Sequence, residues 1–235
     1  MVVFLTAKTY LCFTIYLKAD CMDIRGVITG DIVTSSAIRG EYRDILLEML
    51  NGIVEELRDT LSPAKMEFFR GDSFQIVVEH PEEAVKMAVL LRAGIKGQTP
   101  ERLKRAWDVR LAIGIGEVSY LSDKVVLSDG EAFHFSGREL DDIGKRRLTV
   151  KTRWEELNEE LEVSTAFADD IISRWTISQA KALYSSLLYG STQKEMAMSM
   201  GMSSQNVGKL LRAGKENLMA LYINRSKKII KEKML

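Results

Sequence analysis

The chain has 235 residues, of which 46% are hydrophobic, and its 33 Lys/Arg are balanced by 33 Asp/Glu. This length is compatible with one large domain or two small ones, since domains usually contain about 100–200 residues. The hydrophobic fraction excludes a disordered or fibrous chain, because it supplies enough apolar surface for a buried core.

The neutral total conceals an uneven distribution of charge. From Thr176 to the C-terminus there are ten Lys/Arg and three Asp/Glu, which leaves 23 basic and 30 acidic residues in the first 175. An acidic body with a net charge of −7 is therefore joined to a basic segment with a net charge of +7. Such asymmetry is typical of chains that contact nucleic acid or a membrane surface.

The first 21 residues are predicted to be an N-terminal extension, with Met22 as the natural start. Both cysteines, Cys12 and Cys21, lie in this segment, so the rest of the chain has no disulfide framework, which favours a reducing, cytoplasmic compartment. The apolar run at residues 10–17 is shorter than the roughly 20 residues that span a bilayer, and we expect no membrane partner. A signal peptide is the alternative, although the segment lacks a small-x-small cleavage site.

The body is predicted to alternate strands and helices. The expected boundaries of these elements follow from runs of β-branched residues, from apolar residues at helical spacing, and from turn residues at Pro63 and around Gly71. Strands are expected at 24–33, 65–70, 73–79 and 109–118, with weak strands near 125–127 and 148–151, and helices at 41–61 and 82–95. The order β-α-β-β-α-β is that of a ferredoxin-like α+β fold.

Two aspartates are expected to meet at one edge of this sheet. Asp31 ends the first strand and Asp72 lies in the hairpin after the second strand, and the third strand is expected to pair between them. Two neighbouring carboxylates repel unless a cation or a proton separates them, and hard oxygen ligands suit Mg²⁺ bound together with substrate phosphates. The alternative is that Asp31 ends a strand and Asp72 is an ordinary turn residue.

Four segments, at residues 31–35, 70–72, 113–118 and 130–138, resemble the successive motifs of class III nucleotidyl cyclase catalytic domains. The resemblance implies that Asp31, Asp72 and the backbone carbonyl of Ile32 bind Mg²⁺ or Mn²⁺. It also implies that the body is a homodimer that takes a nucleotide ligand, with Arg138 stabilising the transition state from across the dimer interface.

Three nucleotide-binding positions depart from that family's pattern. Phe68 and Leu127 occupy its base-reading positions, and His134 replaces the asparagine that precedes Arg138. Because positioning of the nucleotide supplies most of a cyclase's rate enhancement, these departures favour a nucleotide-sensing domain over an efficient cyclase. Other interpretations are that His134 is an interior histidine and that Arg138 pairs with one of the two aspartates that follow it.

The basic segment is predicted to be all-helical, because it has neither proline nor strand signals after Thr176. A charged helical connector at 153–173 precedes it, and helices are expected at 178–189, 193–200 and 204–213. Gly201 provides the turn between the last two, and helix, glycine turn, helix is the layout of a DNA-binding helix-turn-helix. Residues 192–207 resemble the helix-turn-helix of sigma-factor region 4 and of the LuxR type.

The second helix of this motif is expected to enter the major groove of double-stranded DNA. Its side chains predicted to face the DNA are Ser203, Ser204, Gln205, Asn206, Lys209 and Arg212. The amides of Gln205 and Asn206 can form paired hydrogen bonds with adenine edges. Lys209 and Arg212, together with Lys215 after the helix, suit phosphates. The alternative is a polar helix face that binds a protein.

The two halves together resemble the SatD-like family of bacterial proteins, which join an acidic N-terminal domain to a C-terminal helix-turn-helix. We therefore predict an extension at 1–21, a cyclase-like α+β domain at 22–152, a helical connector at 153–175 and a DNA-binding domain at 176–235. The predicted function is a cytoplasmic transcriptional regulator whose body dimerises and senses a nucleotide. The alternatives are an atypical Mg²⁺-dependent nucleotidyl cyclase or nucleotide hydrolase, and a protein–protein adaptor.

Overall fold

The computed structural model describes residues 23–33, 38, 40–100, 102–103 and 105–235, without the side chain of Arg70. The predicted extension, with Cys12 and Cys21, lies outside these described residues. Within the described ranges no helix is both long and apolar enough to cross a membrane.

The described residues form six strands and eight α-helices. The strands are β1 (Ile24–Ile32), β2 (Ala64–Arg70), β3 (Ser73–Val78), β4 (Val109–Tyr120), β5 (Asp129–Gly130) and β6 (Leu148–Thr152). The helices are α1 (Gly40–Thr60), α2 (Ala84–Gly97), α3 (Glu131–Asp141), α4 (Glu155–Ser173), α5 (Ile177–Tyr189), α6 (Gln193–Met200), α7 (Ser204–Ala213) and α8 (Glu216–Lys233). Two 3₁₀ turns lie at Pro81–Glu83 and Val125–Leu127.

The predicted order of strands and helices is confirmed from β1 to β4, and the boundaries differ by one or two residues. The weak strand predicted at 125–127 is wrong, because these residues form a 3₁₀ turn before the two-residue strand β5. The helix α3 was not predicted. Only Ala132, Phe133 and Ser136 of this helix are buried, so its apolar periodicity is too brief to identify it.

The sheet has the strand order β2-β3-β1-β4-β5, and β6 pairs in parallel with β4. One face carries the larger core, in which Ile28 and Phe74 pack with α1 and α2. The opposite face carries a smaller cluster, in which Val27 and Val77 lie with Phe133 of α3. Helix α3 approaches β4 at Gly114, where an added Cβ would lie 2.1 Å from the carbonyl oxygen of Ala132.

The hydrophobic core continues from the sheet body into the C-terminal helices. Helix α5 packs along α2, and Tyr184 and Tyr189 of α5 both donate hydrogen bonds to Glu56 of α1, the first at 2.6 Å. Trp175 donates its indole N–H to the carbonyl of Gly214 at 2.9 Å. The domain boundary predicted near residue 175 therefore marks a change in net charge along the sequence, while the hydrophobic core continues across it.

A buried charge network fixes α2, β4 and α4 to one another. Arg92 has no exposed surface, and it donates to both carboxylate oxygens of Asp108 at 2.9 Å and to Asp169 at 2.6 Å. Lys96 and Arg147 contact the same oxygen of Asp108 at 3.1 and 2.7 Å. Burial alone raises the pKa of a carboxyl group, but these three cations outweigh it and lower the pKa of Asp108 to about 2.

This network predicts a loss of stability in acid. Because the pKa of Asp108 is lower in the folded than in the unfolded chain, its stabilising contribution is complete above about pH 4 and declines as the pH falls towards 2. Asp108→Asn leaves Lys96 without a charged partner and Arg92 with Asp169 alone, so we expect a loss of about 3 kcal/mol in urea unfolding at neutral pH. The difference from the wild-type protein is expected to narrow as the pH falls from 4 to 2. Asp44→Asn, at an exposed carboxylate, is the control, and an equal effect there would contradict the assignment.

Candidate functional sites at a sheet edge and on an exposed helix

The strand register brings the two predicted aspartates to one edge of the sheet. Asp31 lies opposite Ser73, the residue after Asp72, on one side and opposite Arg110 of β4 on the other. Gly71 has a φ of +58°, which a non-glycine residue rarely adopts and which closes the tight β2–β3 turn. The juxtaposition expected from connectivity is therefore present in the structure.

Arg110 supplies a positive charge that is bonded to Asp31 and lies within electrostatic range of Asp72. Its guanidinium donates from Nε to Asp31 Oδ1 at 2.8 Å and from a terminal nitrogen to Asp31 Oδ2. The hydrogen bond to Asp31, together with the negative charges of Asp31 and Asp72, raises the pKa of Arg110. The repulsion between the aspartates is thus relieved by a side chain of the same protein.

The donor set does not fit a metal ion in this arrangement. Both carboxylate oxygens of Asp31 are already bonded to Arg110, so a metal would have to displace the guanidinium. In the part of the chain that the structure describes, no group of three or more His, Cys, Asp or Glu side chains could hold a metal. Mg²⁺ or Mn²⁺ binding by Asp31, Ile32 and Asp72 therefore stays a proposal that depends on movement of Arg110.

The four predicted nucleotide-binding residues do not converge on this edge. Phe68 packs edge-to-face on Phe74, with ring centroids 6.1 Å apart, on the sheet face that α1 covers. Leu127 is exposed in the 3₁₀ turn after β4. His134 and Arg138 are both exposed on α3, on the opposite face of the sheet from Phe68.

Two of the structural alternatives for these residues are wrong. His134 is not an interior histidine, because its side chain is 60% exposed and its Nε2 lies 3.1 Å from Asp129. Arg138 forms no ion pair with the aspartates that follow it, nor with any other described residue. Both side chains therefore stay available to contact a ligand or a second protein surface.

Replacing Arg110 by an apolar residue tests whether its guanidinium occupies the position that a metal ion would take beside Asp31. In Arg110→Met, Asp31 loses its bonded cation and Asp72 a nearby positive charge, and we expect a loss of about 1 kcal/mol of stability, a modest value because Arg110 is partly exposed. Millimolar Mn²⁺ is expected to raise the melting temperature of this variant and not that of the wild-type protein. Arg146→Met, at an exposed arginine, is the control, and an equal rise for the wild-type protein would contradict the prediction.

The second site is the outer face of α7. Thr192 and Ser203 cap α6 and α7, and Gly201 ends α6 in the left-handed conformation with a φ of +64°. The three-residue turn fixes α7 against α6, with Val207 and Leu211 buried. All six predicted DNA-contacting side chains are exposed: Ser203, Ser204, Gln205, Asn206, Lys209 and Arg212.

Two groups of cations in the C-terminal region differ in whether they pair with carboxylates. On α8, Arg225, Lys227 and Lys233 pair with carboxylates of the body, namely Glu160, Glu83 and Glu156. On α7 and just after it, Lys209, Arg212 and Lys215 form no ion pair or side-chain hydrogen bond with any described residue. Part of the positive charge thus attaches α8 to the acidic body, and the part on α7 faces solvent.

The solved structures similar to this chain include two that match it over about half of its length. A bacterial light-regulated adenylyl cyclase is 12% identical, with a TM-score of 0.43 over 55% of this chain and 75% of that one. The guanylyl cyclase Cya2 is 15% identical, with a TM-score of 0.40 over 51% of this chain and 70% of that one. Both are nucleotidyl cyclases. At this level of similarity they carry no functional argument, so the proposals below depend on the residues of this chain.

No family model matches the sequence, and no curated protein gives a significant match.

Proposed function

We propose that this protein is a DNA-binding transcriptional regulator and that α7 is the recognition helix of a helix-turn-helix. The observation that carries the proposal is the contrast between the two groups of cations. Three cations of α8 pair with carboxylates of the body, whereas Lys209, Arg212 and Lys215 are left unpaired beside exposed amide side chains. A helix face that combines amides with free cations matches the two chemical features of duplex DNA, its base edges and its phosphates.

The arrangement along α7 fits the way a recognition helix docks. Such helices contact base edges with their N-terminal residues, and here Gln205 and Asn206 lie in the first turn. Both amides can form paired hydrogen bonds with the major-groove edge of adenine. Lys209 and Arg212 lie one and two turns further on, where they can reach the phosphates that flank the groove. A protein-binding face would need no such order of amides before cations.

Removing the free cations is expected to weaken DNA binding without unfolding the protein. For the double variant Lys209→Ala, Arg212→Ala we expect weaker binding to all duplexes and a slope of log affinity against log salt that is smaller by about 2, since each phosphate contact contributes about one. Fluorescence anisotropy of duplexes selected from bound genomic DNA measures both quantities. Gln205→Ala is expected instead to relax sequence preference.

The matched control is Lys145→Ala, Arg146→Ala, which removes one exposed lysine and one exposed arginine from the loop before β6. Its salt slope is expected to equal that of the wild-type protein. If the control and the α7 variant lose affinity equally, the binding is diffuse electrostatic attraction and α7 is not the recognition helix. A wild-type protein that binds no duplex at low salt would refute the whole proposal.

The second candidate function is nucleotide sensing by the body, with Mg²⁺ or Mn²⁺. It is favoured by the side-by-side placement of Asp31 and Asp72, and it requires the nucleotide and metal together to draw Arg110 away from Asp31. We expect a nucleoside triphosphate with Mn²⁺ to raise the melting temperature of the wild-type protein but not of Asp72→Asn. If no nucleotide changes the melting temperature, this candidate fails. Turnover of the nucleotide that Asp31→Ala abolishes would instead favour the alternative of a cyclase or hydrolase.

A further inference from the structure

The helices α4 and α8 pack side by side in opposite directions and leave an apolar groove at the surface. The hydroxyl groups of Thr165 and Tyr222 are 2.8 Å apart, and further along the pair Arg225 donates to Glu160 at 2.7 Å. The sequence numbers therefore rise along one helix as they fall along the other. The groove has a volume of about 490 Å³ and is lined mainly by Leu161, Phe167, Ile171, Leu218, Leu221 and Tyr222.

Large apolar side chains stand exposed on both sides of this groove. On α4, Val163 is 60% and Phe167 is 69% exposed, and on α8, Leu218 is 50% and Leu221 is 65% exposed. Their spacings of four and three residues place each pair on one face of its helix. Together they present on the order of 400 Å² of apolar surface, a size that on a protein surface marks an interaction site. That is about half of what one partner buries in a stable protein–protein interface.

The charges beside the groove are self-complementary. Within one copy, Glu156 and Glu160 of α4 already pair with Lys233 and Arg225 of α8. The exposed charges that do not bridge the two helices include Glu159 and Glu162 on the first half of α4 and Lys228 and Lys231 on the second half of α8. A two-fold axis parallel to the helices lays α4 of one copy over α8 of the other, so that each acidic end meets a basic end. Isologous contacts of this kind are the commonest way in which identical chains pair.

We propose that the face formed by α4 and α8 is the interface of a homodimer, in which Phe167 of each copy packs into the groove of the other. The inference goes beyond DNA binding, because it names the surface that joins two copies, and it stands whether or not DNA is bound. It also differs from a dimer formed through the sheet body. Helix α8 begins three residues after α7 ends, so this interface sets two copies of α7 close to one two-fold axis.

The first test is the oligomeric state of the full-length protein without DNA, measured by analytical ultracentrifugation. For Phe167→Glu, Leu221→Glu we expect a dissociation constant that is raised roughly a hundredfold, since two central apolar contacts are replaced by charges. Circular dichroism and urea unfolding of the monomer are expected to stay as in the wild-type protein, because both side chains are exposed in the single chain.

A charge exchange tests the arrangement of the two copies. The antiparallel contacts place Glu159 at the level of Lys228, so that in the dimer Glu159 of one copy faces Lys228 of the other. Glu159→Lys and Lys228→Glu are each expected to weaken the homodimer. In either variant, residues 159 and 228 carry the same charge, and the two-fold axis repeats this repulsive contact. An equal mixture of the two variants is expected to form a heterodimer with wild-type affinity, since both contacts are again between opposite charges.

Controls separate this interface from others. Leu121→Ser removes an exposed apolar side chain near the end of β4, and Met198→Ser removes one from α6, and both variants are expected to remain dimeric. A wild-type protein that is monomeric at all concentrations overturns the proposal. So does a dimer that Leu121→Ser disrupts and Phe167→Glu does not. Since no DNA is present, failure of the DNA-binding proposal leaves these outcomes unchanged.

Discussion

The packing of α2, β4 and α4 against one another depends on one buried arginine. Arg92 is wholly enclosed by protein, and its guanidinium bonds Asp108 where β4 is about to begin and Asp169 and Ser173 near the end of α4. A buried cation without partners is so unfavourable that these groups have to be brought together when the chain folds. The strand that carries the sheet-edge arginine and the helix that leads into the C-terminal region are thereby fixed to the same point of α2.

The same constraint links the two candidate sites. Arg110 lies in β4, two residues after Asp108, so the network anchors the chain just before the part of the strand in which Arg110 meets Asp31. On the other side of the network, α4 ends at Ser173 and α5 packs along α2. The sheet edge and the outer helices are therefore joined through packed elements.

The parts that could be predicted from sequence are those with local signals. Gly71 and Gly201 each specify a turn through the conformation of one residue, and the structure has these turns where they were expected. The paired aspartates followed from connectivity alone. A DNA-facing role of α7 is consistent with its exposure and stays a prediction.

The parts that escaped prediction depend on contacts between residues distant in the chain. Arg110 stands out in the sequence as a charged residue in the mostly apolar strand β4. Its partner, Asp31, lies 79 residues earlier and became evident only from the strand register. The 3₁₀ turn at Val125–Leu127 resembles a strand in composition because its residues are β-branched or apolar. Ion pairs such as Lys227 with Glu83 span 144 residues, so the basic composition of α8 could not reveal that its charge is neutralised within the chain.

The glycines of α2 have a consequence for the evolution of this architecture. At Gly97 an added Cβ would lie 3.0 Å from the backbone of Lys181, and at Gly94 it would lie 3.1 Å from the ring of Tyr184. The backbones of α2 and α5 thus meet with almost no side-chain layer between them. A C-terminal unit attached this closely cannot be exchanged between proteins as an interchangeable cassette, because a replacement would have to match α2 at the scale of single methyl groups. Recombination is therefore expected to transfer the sheet body and these helices together.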